Sequence, residues 1–349
     1  MLKVAVFGDR YIKPAILAEA LQTHLAPIAG PLAIVTCELD YPLEPVRSNG
    51  EIREFAGTED QVAEVAAGAE VIACHMPAVS RAVIERLPSL RAIGCCRTEP
   101  VNVNVAAATE AGIPVLFTPA RNARAVAEFT VGMIIAETRN IGRGHRALAG
   151  GVWRSDLYLY ERAPHELNGQ TVGLIGFGNI GRMLPAYLKP FGVRVLAYDP
   201  YVPDEVFVVS GAERVTDMEF LLAESDIVSL HARVTPETRG FIGEAQFRRM
   251  KPGAYFINTA RGPMVDYDAL YRALSEGRLA GAGLETFAME PPPPDWPLLK
   301  LENVTLSPHI AGASKESAAL AADQVASALA VWRAGGRPDH CANPSVLRS

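Results

Sequence analysis

One stretch constrains this chain more than any other: Thr171-Val172-Gly173-Leu174-Ile175-Gly176-Phe177-Gly178-Asn179-Ile180-Gly181. A short apolar run passes into GxGxxG, and an amphipathic pattern expected to be helical follows from Gly181 to Phe191. Each glycine has a separate task in a strand-turn-helix of this kind. Gly176 allows the tight turn, Gly178 lets the backbone come close to a pyrophosphate, and Gly181 permits close packing of helix on strand. The amides at the mouth of the helix, those of Asn179 and Ile180 included, are then free to face negative charge. Glycine-rich turns also arise for packing alone, so the next strand matters. It ends in Tyr198-Asp199, and an acid at this distance accepts hydrogen bonds from both hydroxyls of an adenosine ribose. The same carboxylate would repel a 2′-phosphate, which favours NAD over NADP. The competing reading is an acid that serves only the turn before Pro200.

The loop sits inside a longer series. Apolar runs at Val172–Ile175, Val195–Tyr198, Ile227–Leu230, Tyr255–Asn258, Gly281–Leu284 and Val304–Leu306 alternate with helical patterns at 217–222, 244–250 and 266–276. That count suits a doubly wound nucleotide-binding domain. A second alternation precedes it, with strands expected at Val4–Phe7, Leu32–Cys37, Val71–Cys74 and Ala92–Gly94 and a helix at 14–25. Its first strand ends in Gly8-Asp9-Arg10-Tyr11-Ile12, with one glycine where the other has three, which marks it as the candidate substrate domain. The expectation is therefore an α/β protein of two parallel-sheet domains. A continuous helix over 122–149, about seven turns long, is expected to bridge them. A final Ala-rich helix over 315–334 fits either domain by periodicity.

At 349 residues the chain is long enough for two cores. Its net charge of −6, without a basic run, argues against nucleic acid and anionic membrane and for a small-molecule partner. The five cysteines form no CxxC pair, so neither a metal site nor a disulfide framework is indicated, and a reducing cytoplasm fits best. The N-terminal run lacks the pattern of a signal peptide, and no apolar stretch approaches a membrane span.

Three polar residues follow later strands of the second series, at the edge where ligands gather in such sheets. Arg261 offers a planar guanidinium able to grip a carboxylate in two places and polarise a neighbouring carbonyl. Reduction of a 2-oxo acid places negative charge on the carbonyl oxygen, so a proton donor titrating near neutrality is needed, and His309 is the natural candidate. A carboxylate such as Glu290 beside that imidazole would orient it and favour its protonated form. Singly, each has a plain structural alternative: His309 as a turn residue after Pro308, Glu290 as a solvated residue before Pro291, and Arg261 paired with Asp266.

Taken together, these stretches resemble the D-isomer-specific 2-hydroxyacid dehydrogenases, among them phosphoglycerate dehydrogenase and glyoxylate/hydroxypyruvate reductase. The resemblance rests on the segments 122–128, 176–181, 230–238, 258–265, 287–291 and 307–312, in order along most of the chain. It implies two Rossmann-like doubly wound domains, a flavodoxin-like substrate domain of residues 1–121 with 311–349 and an NAD-binding domain of residues 122–310. It also implies a homodimer through the NAD-binding domain and an active site in the cleft between domains. By the same resemblance Arg261, Glu290 and His309 are catalytic, and His231, Thr238, Thr259, Ala260, Glu285 and Gly312 join the glycine loop and Asp199 in holding NAD. His75, Arg97, Thr98 and Asn122 are expected to join Arg261 on the substrate. Cys95-Cys96-Arg97-Thr98-Glu99-Pro100-Val101-Asn102 stands where many relatives have a glycine-rich loop, and Arg97 there either meets an anionic group or pairs with Glu99. An NAD-sensing co-repressor is the alternative function, because such proteins keep the same Arg, Glu and His.

Overall fold

Five short apolar runs in the first third of the chain become β1 (Leu2–Asp9), β2 (Leu32–Leu39), β3 (Val71–Cys74), β4 (Ala92–Cys95) and β5 (Val115–Phe117). In the computed structural model, which describes residues 1–43 and 46–347, they pair in parallel in the order β2-β1-β3-β4-β5. Both β3 and β4 are buried along their whole length, as strands covered on two faces must be. One face of the sheet is covered by the helices Pro14–His24 and Lys315–Arg333, whose Leu17, Leu21, Ala322, Val325 and Leu329 are buried against Val4, Val6 and Val71. His24 and Asp323 join the two helices at 2.5 Å. The other face carries the helices Glu59–Val65, Arg81–Glu85 and Val105–Glu110.

A second sheet of seven strands holds β6 (Thr171–Ile175), β7 (Arg194–Tyr198), β8 (Glu213–Arg214), β9 (Ile227–Leu230), β10 (Ala254–Asn258), β11 (Leu279–Leu284) and β12 (Val304–Leu306). Their order is β12-β11-β10-β9-β6-β7-β8. Every pairing is parallel, so this is a doubly wound α/β arrangement like the first. The helix Ala123–Thr138 lies along one face, with Ala127, Met133 and Ile134 packed near Val172, Leu174 and Ile257. The chain thus forms two units, Met1–Asn122 with Ala313–Ser349 and Ala123–Gly312. The terminal helix, which periodicity assigned to neither sheet, packs in the first.

Two expected helices differ from the observed ones. The single helix over 122–149 is two, Ala123–Thr138 and Ile141–Ala149, because Asn140 turns into the left-handed region at φ 57°, which asparagine tolerates better than other side chains. The helix after the glycine loop spans only Leu184–Leu188 and continues as a 3₁₀ turn over Lys189–Phe191. Pro185 has no N–H and so suits only a first turn, which places the start of the regular helix beside it, and Pro190 stops the α pattern. Short elements with no periodic signature, β5, β8 and the helices Glu59–Val65, Arg81–Glu85, Val105–Glu110 and Asp204–Ser210, were not visible in the sequence pattern.

Candidate functional site

The carboxyl ends of β6 and β9 form the switch point of the second sheet, where the strand order reverses and ligands collect in open α/β folds. Gly176 has φ +95°, and a Cβ there would lie 2.5 Å from the carbonyl carbon of His231, so the loop after β6 rests directly on the chain leaving β9. A Cβ at Gly178 would instead meet nothing within 4 Å. Among the described residues, the N–H groups of Gly178, Asn179 and Ile180 have no acceptor. A Cβ at Gly181 would lie 2.6 Å from the Gly176 carbonyl oxygen, consistent with a closely packed turn. Asp199 is half-buried and accepts from Phe177 N–H at 2.8 Å and Tyr201 N–H at 3.0 Å, one on each oxygen.

His231 reaches Ser229 Oγ through Nε2 at 2.8 Å, while its Nδ1 is shielded from solvent and has no partner. Burial pushes its pKa down to about 3, so the ring is neutral at ordinary pH. Thr238 closes its own turn, donating to the Arg233 carbonyl at 2.6 Å. Thr259 bonds Thr130 at 2.8 Å, and Ala260 N–H donates to Asn258 Oδ1 at 3.0 Å. Glu285 is fully buried; one oxygen accepts from Ala311 N–H, and the other, Oε2, has no partner. Gly312 ends this stretch.

Arg261, Glu290 and His309 are tied together through the backbone between them. A Cβ on Gly262 would fall 1.9 Å from the carbonyl carbon of Phe287, so only glycine lets the Arg261 loop lie against that segment. Phe287 N–H donates to Glu290 Oε1 at 2.9 Å, and Glu290 Oε2 is 2.6 Å from His309 Nδ1. His309 N–H donates in turn to the Glu285 carbonyl at 3.1 Å. His309 has φ 54°, a strained value for a side-chain-bearing residue that persists only where its surroundings hold it. Burial alone would raise the Glu290 pKa. The hydrogen bond to His309, the histidine's charge, the Phe287 amide and the charge of Arg261 outweigh it and bring the carboxyl below its ordinary value. Arg261 is exposed, donates to the Ala260 carbonyl at 2.7 Å and forms no ion pair among the described residues. Asp266, its alternative partner, caps the helix Tyr267–Ser275 instead. Tyr267, which sequence reasoning did not single out, braces the region by donating to the Thr286 carbonyl at 2.6 Å.

In the first unit, His75 follows β3 and is buried with its Nδ1 2.6 Å from Asp9 Oδ2. Burial lowers its pKa despite Asp9. Arg97 pairs with Glu54 rather than with Glu99, and also donates to the Glu54 carbonyl at 3.2 Å; the fold brings the distant acid closer than the one two positions away. Thr98 is exposed, and Asn122 directly precedes the helix Ala123–Thr138.

The model of the NAD-binding domain of D-isomer specific 2-hydroxyacid dehydrogenases matches residues 131–311. The chain is 40% identical over 266 residues to the glyoxylate reductase of Korarchaeum cryptofilum, covering 76% of this chain and 80% of the relative. It is 39% identical over 278 residues to the D-3-phosphoglycerate dehydrogenase of Methanocaldococcus jannaschii, covering 79% of this chain and 52% of that longer protein. The NAD-complexed D-isomer specific 2-hydroxyacid dehydrogenase of Lactobacillus delbrueckii ssp. bulgaricus aligns over 98% of this chain and 100% of its own, with TM-score 0.77 and 27% identity. The chain belongs to the D-isomer-specific 2-hydroxyacid dehydrogenase family and is an NAD-dependent enzyme of that class.

Proposed function

We propose that this enzyme interconverts a small 2-oxo acid and the matching D-2-hydroxy acid, with His309 moving the proton at the C2 oxygen. The observation that carries the reading is the 2.6 Å contact of His309 Nδ1 with Glu290, beside an Arg261 free of any ion pair among the described residues. NAD, when bound, supplies or takes up the hydride.

Glu290 is ionised at neutral pH, so it accepts the Nδ1 proton of His309 and leaves Nε2 to serve the substrate. In reduction His309 gives its proton to the oxygen as C2 is reduced, and in oxidation it takes that proton back. Arg261 holds the carboxylate and, through its positive charge, favours negative charge on the adjacent oxygen. The residues present suit the dinucleotide. The unclaimed amides of Gly178, Asn179 and Ile180 and the open space at Gly178 fit a pyrophosphate, and Asp199 keeps lone pairs for ribose hydroxyls. The orphaned Glu285 Oε2 suits an amide donor such as the carboxamide. His231, Thr238, Thr259, Ala260 and Gly312 complete this wall, while His75, Arg97, Thr98 and Asn122 lie in the first unit, Met1–Asn122 with Ala313–Ser349, which is the substrate unit of this reading.

Oxidation of NADH with glyoxylate, hydroxypyruvate, 3-phosphohydroxypyruvate and longer 2-oxo acids tests this reading. Turnover of at least one is expected; intact NADH binding without turnover across the panel contradicts it and supports an NAD sensor. We also propose a homodimer through the second unit. Ile141, Leu148, Trp153, Tyr158, Leu159 and Tyr160 are all exposed within one stretch of it, with Tyr158 94% and Tyr160 92% accessible, and such a density of exposed apolar side chains supports an interface there. Sedimentation velocity should give twice the chain mass, and a monomer at micromolar concentration contradicts this. Its cysteines are all free, three of them buried, which suits a reducing cytoplasm.

A further inference from the structure

The first sheet has a switch point of its own, between β1 and β3, and each of its five strands sends a polar or aromatic residue to that carboxyl edge. Asp9 ends β1, Tyr41 follows β2, His75 follows β3, Arg97 follows β4 and Arg121 follows β5. Most of these groups already have partners within the unit. Asp9 is fully buried and accepts from Tyr11 N–H, Ile12 N–H and His75. Arg97 is paired with Glu54. Tyr11 and Tyr41 both present ring edges to His75, with centroids 6.0 Å and 5.8 Å away.

Arg121 is the exception. Its Nη2 lies 3.5 Å from His75 Nε2 and its guanidinium sits 5.8 Å from the centre of the Tyr11 ring. With the Nδ1 proton of His75 given to Asp9, Nε2 is a lone pair that accepts from Arg121, so the guanidinium is aimed by an Asp9–His75 relay. Its Nε and Nη1 are shielded from solvent yet have no hydrogen-bond partner, and it forms no ion pair among the described residues. The residue before it, Ala120, is held at φ 62°, a left-handed conformation that an alanine adopts only under constraint. A shielded cation with unused donors, held by a strained backbone at a switch point, is built for a group that comes from outside the chain.

We propose that Arg121 is a specificity-determining residue that takes a second acidic group, carboxylate or phosphate, at the far end of the 2-oxo acid. This rests on the dehydrogenase reading above and adds a substrate class to it. His75 and Asp9 are positioning residues, because they act on the substrate only through the orientation of Arg121.

The test compares matched pairs of substrates that differ in the distal charge: 2-oxoglutarate against 2-oxovalerate, and 3-phosphohydroxypyruvate against hydroxypyruvate. The wild-type enzyme is expected to favour the doubly acidic member of at least one pair in kcat/KM, and which pair responds separates carboxylate from phosphate. Arg121→Gln should lower that preference ratio roughly 10- to 100-fold, the loss of a hydrogen bond to a charged group, and chiefly through the KM of the doubly acidic member. Arg121→Lys should restore part of the ratio, which a purely structural role would not produce. If Arg121→Gln lowers both members equally, or the wild type shows no preference in either pair, the assignment to Arg121 is overturned while the dehydrogenase reading stands. Absence of turnover with every 2-oxo acid overturns both.

Discussion

At the end of β1 the first unit runs Gly8-Asp9-Arg10-Tyr11-Ile12, and the Asp9 carboxylate accepts the amides of Tyr11 and Ile12 at 2.9 Å each. After β6 the second unit runs Gly176-Phe177-Gly178-Asn179-Ile180-Gly181, and the amides of Gly178, Asn179 and Ile180 find no acceptor among the described residues. Both turns close the first strand of a parallel sheet at its switch point. In the first, an internal carboxylate occupies the donors and the anion site is self-satisfied; in the second, glycine leaves the donors open to a ligand's phosphates. One architecture therefore yields two binding edges of opposite character. The second unit offers amides and open space to a dinucleotide, whereas the first offers a cation, Arg121, aimed by the same Asp9 that closed its turn.

The two aspartates give the largest test of that contrast. Asp9→Ala strips three hydrogen bonds from a fully buried site, taking the carboxylate acceptor from two amides and from Nδ1 of a buried histidine, so it should destabilise the protein by about 3 kcal/mol or more in urea unfolding. Asp199→Ala removes a half-buried acceptor that water can replace, and should cost less than about 1 kcal/mol. Its effect should appear in cofactor choice, the kcat/KM ratio of NADPH to NADH rising roughly tenfold, about 1.4 kcal/mol. Equal loss of stability in the two variants would show that the two turns are satisfied alike; a larger rise in NADPH use would widen the contrast between them.

The second unit was the more legible of the two. GxGxxG with Asp199 carries its chemistry in spacing, and Arg261, Glu290 and His309 each sit just past a strand whose apolar run is evident. Asn140 broke a helix whose apolar periodicity runs through it, since φ sign is not written in hydrophobic pattern. The first unit's edge was less legible because its groups depend on partners far apart in sequence. Arg97 is neutralised by Glu54, 43 positions away, and Arg121 is aimed by His75, 46 positions away. The one available signal was an acid beside the single glycine at the end of the first strand, and its consequence for Arg121 required the fold.

In the proposed reaction His309, held by Glu290, moves the proton at C2 and takes little part in holding the cofactor. Measuring NADH affinity and 2-oxo acid reduction side by side for wild type and His309→Gln tests it most directly. In His309→Gln kcat should fall roughly a hundred- to ten-thousand-fold, the usual range for loss of a general acid, while the NADH dissociation constant stays within about threefold of wild type, under about 1 kcal/mol. Retained turnover, or a loss of NADH affinity as large as the loss of rate, would contradict it.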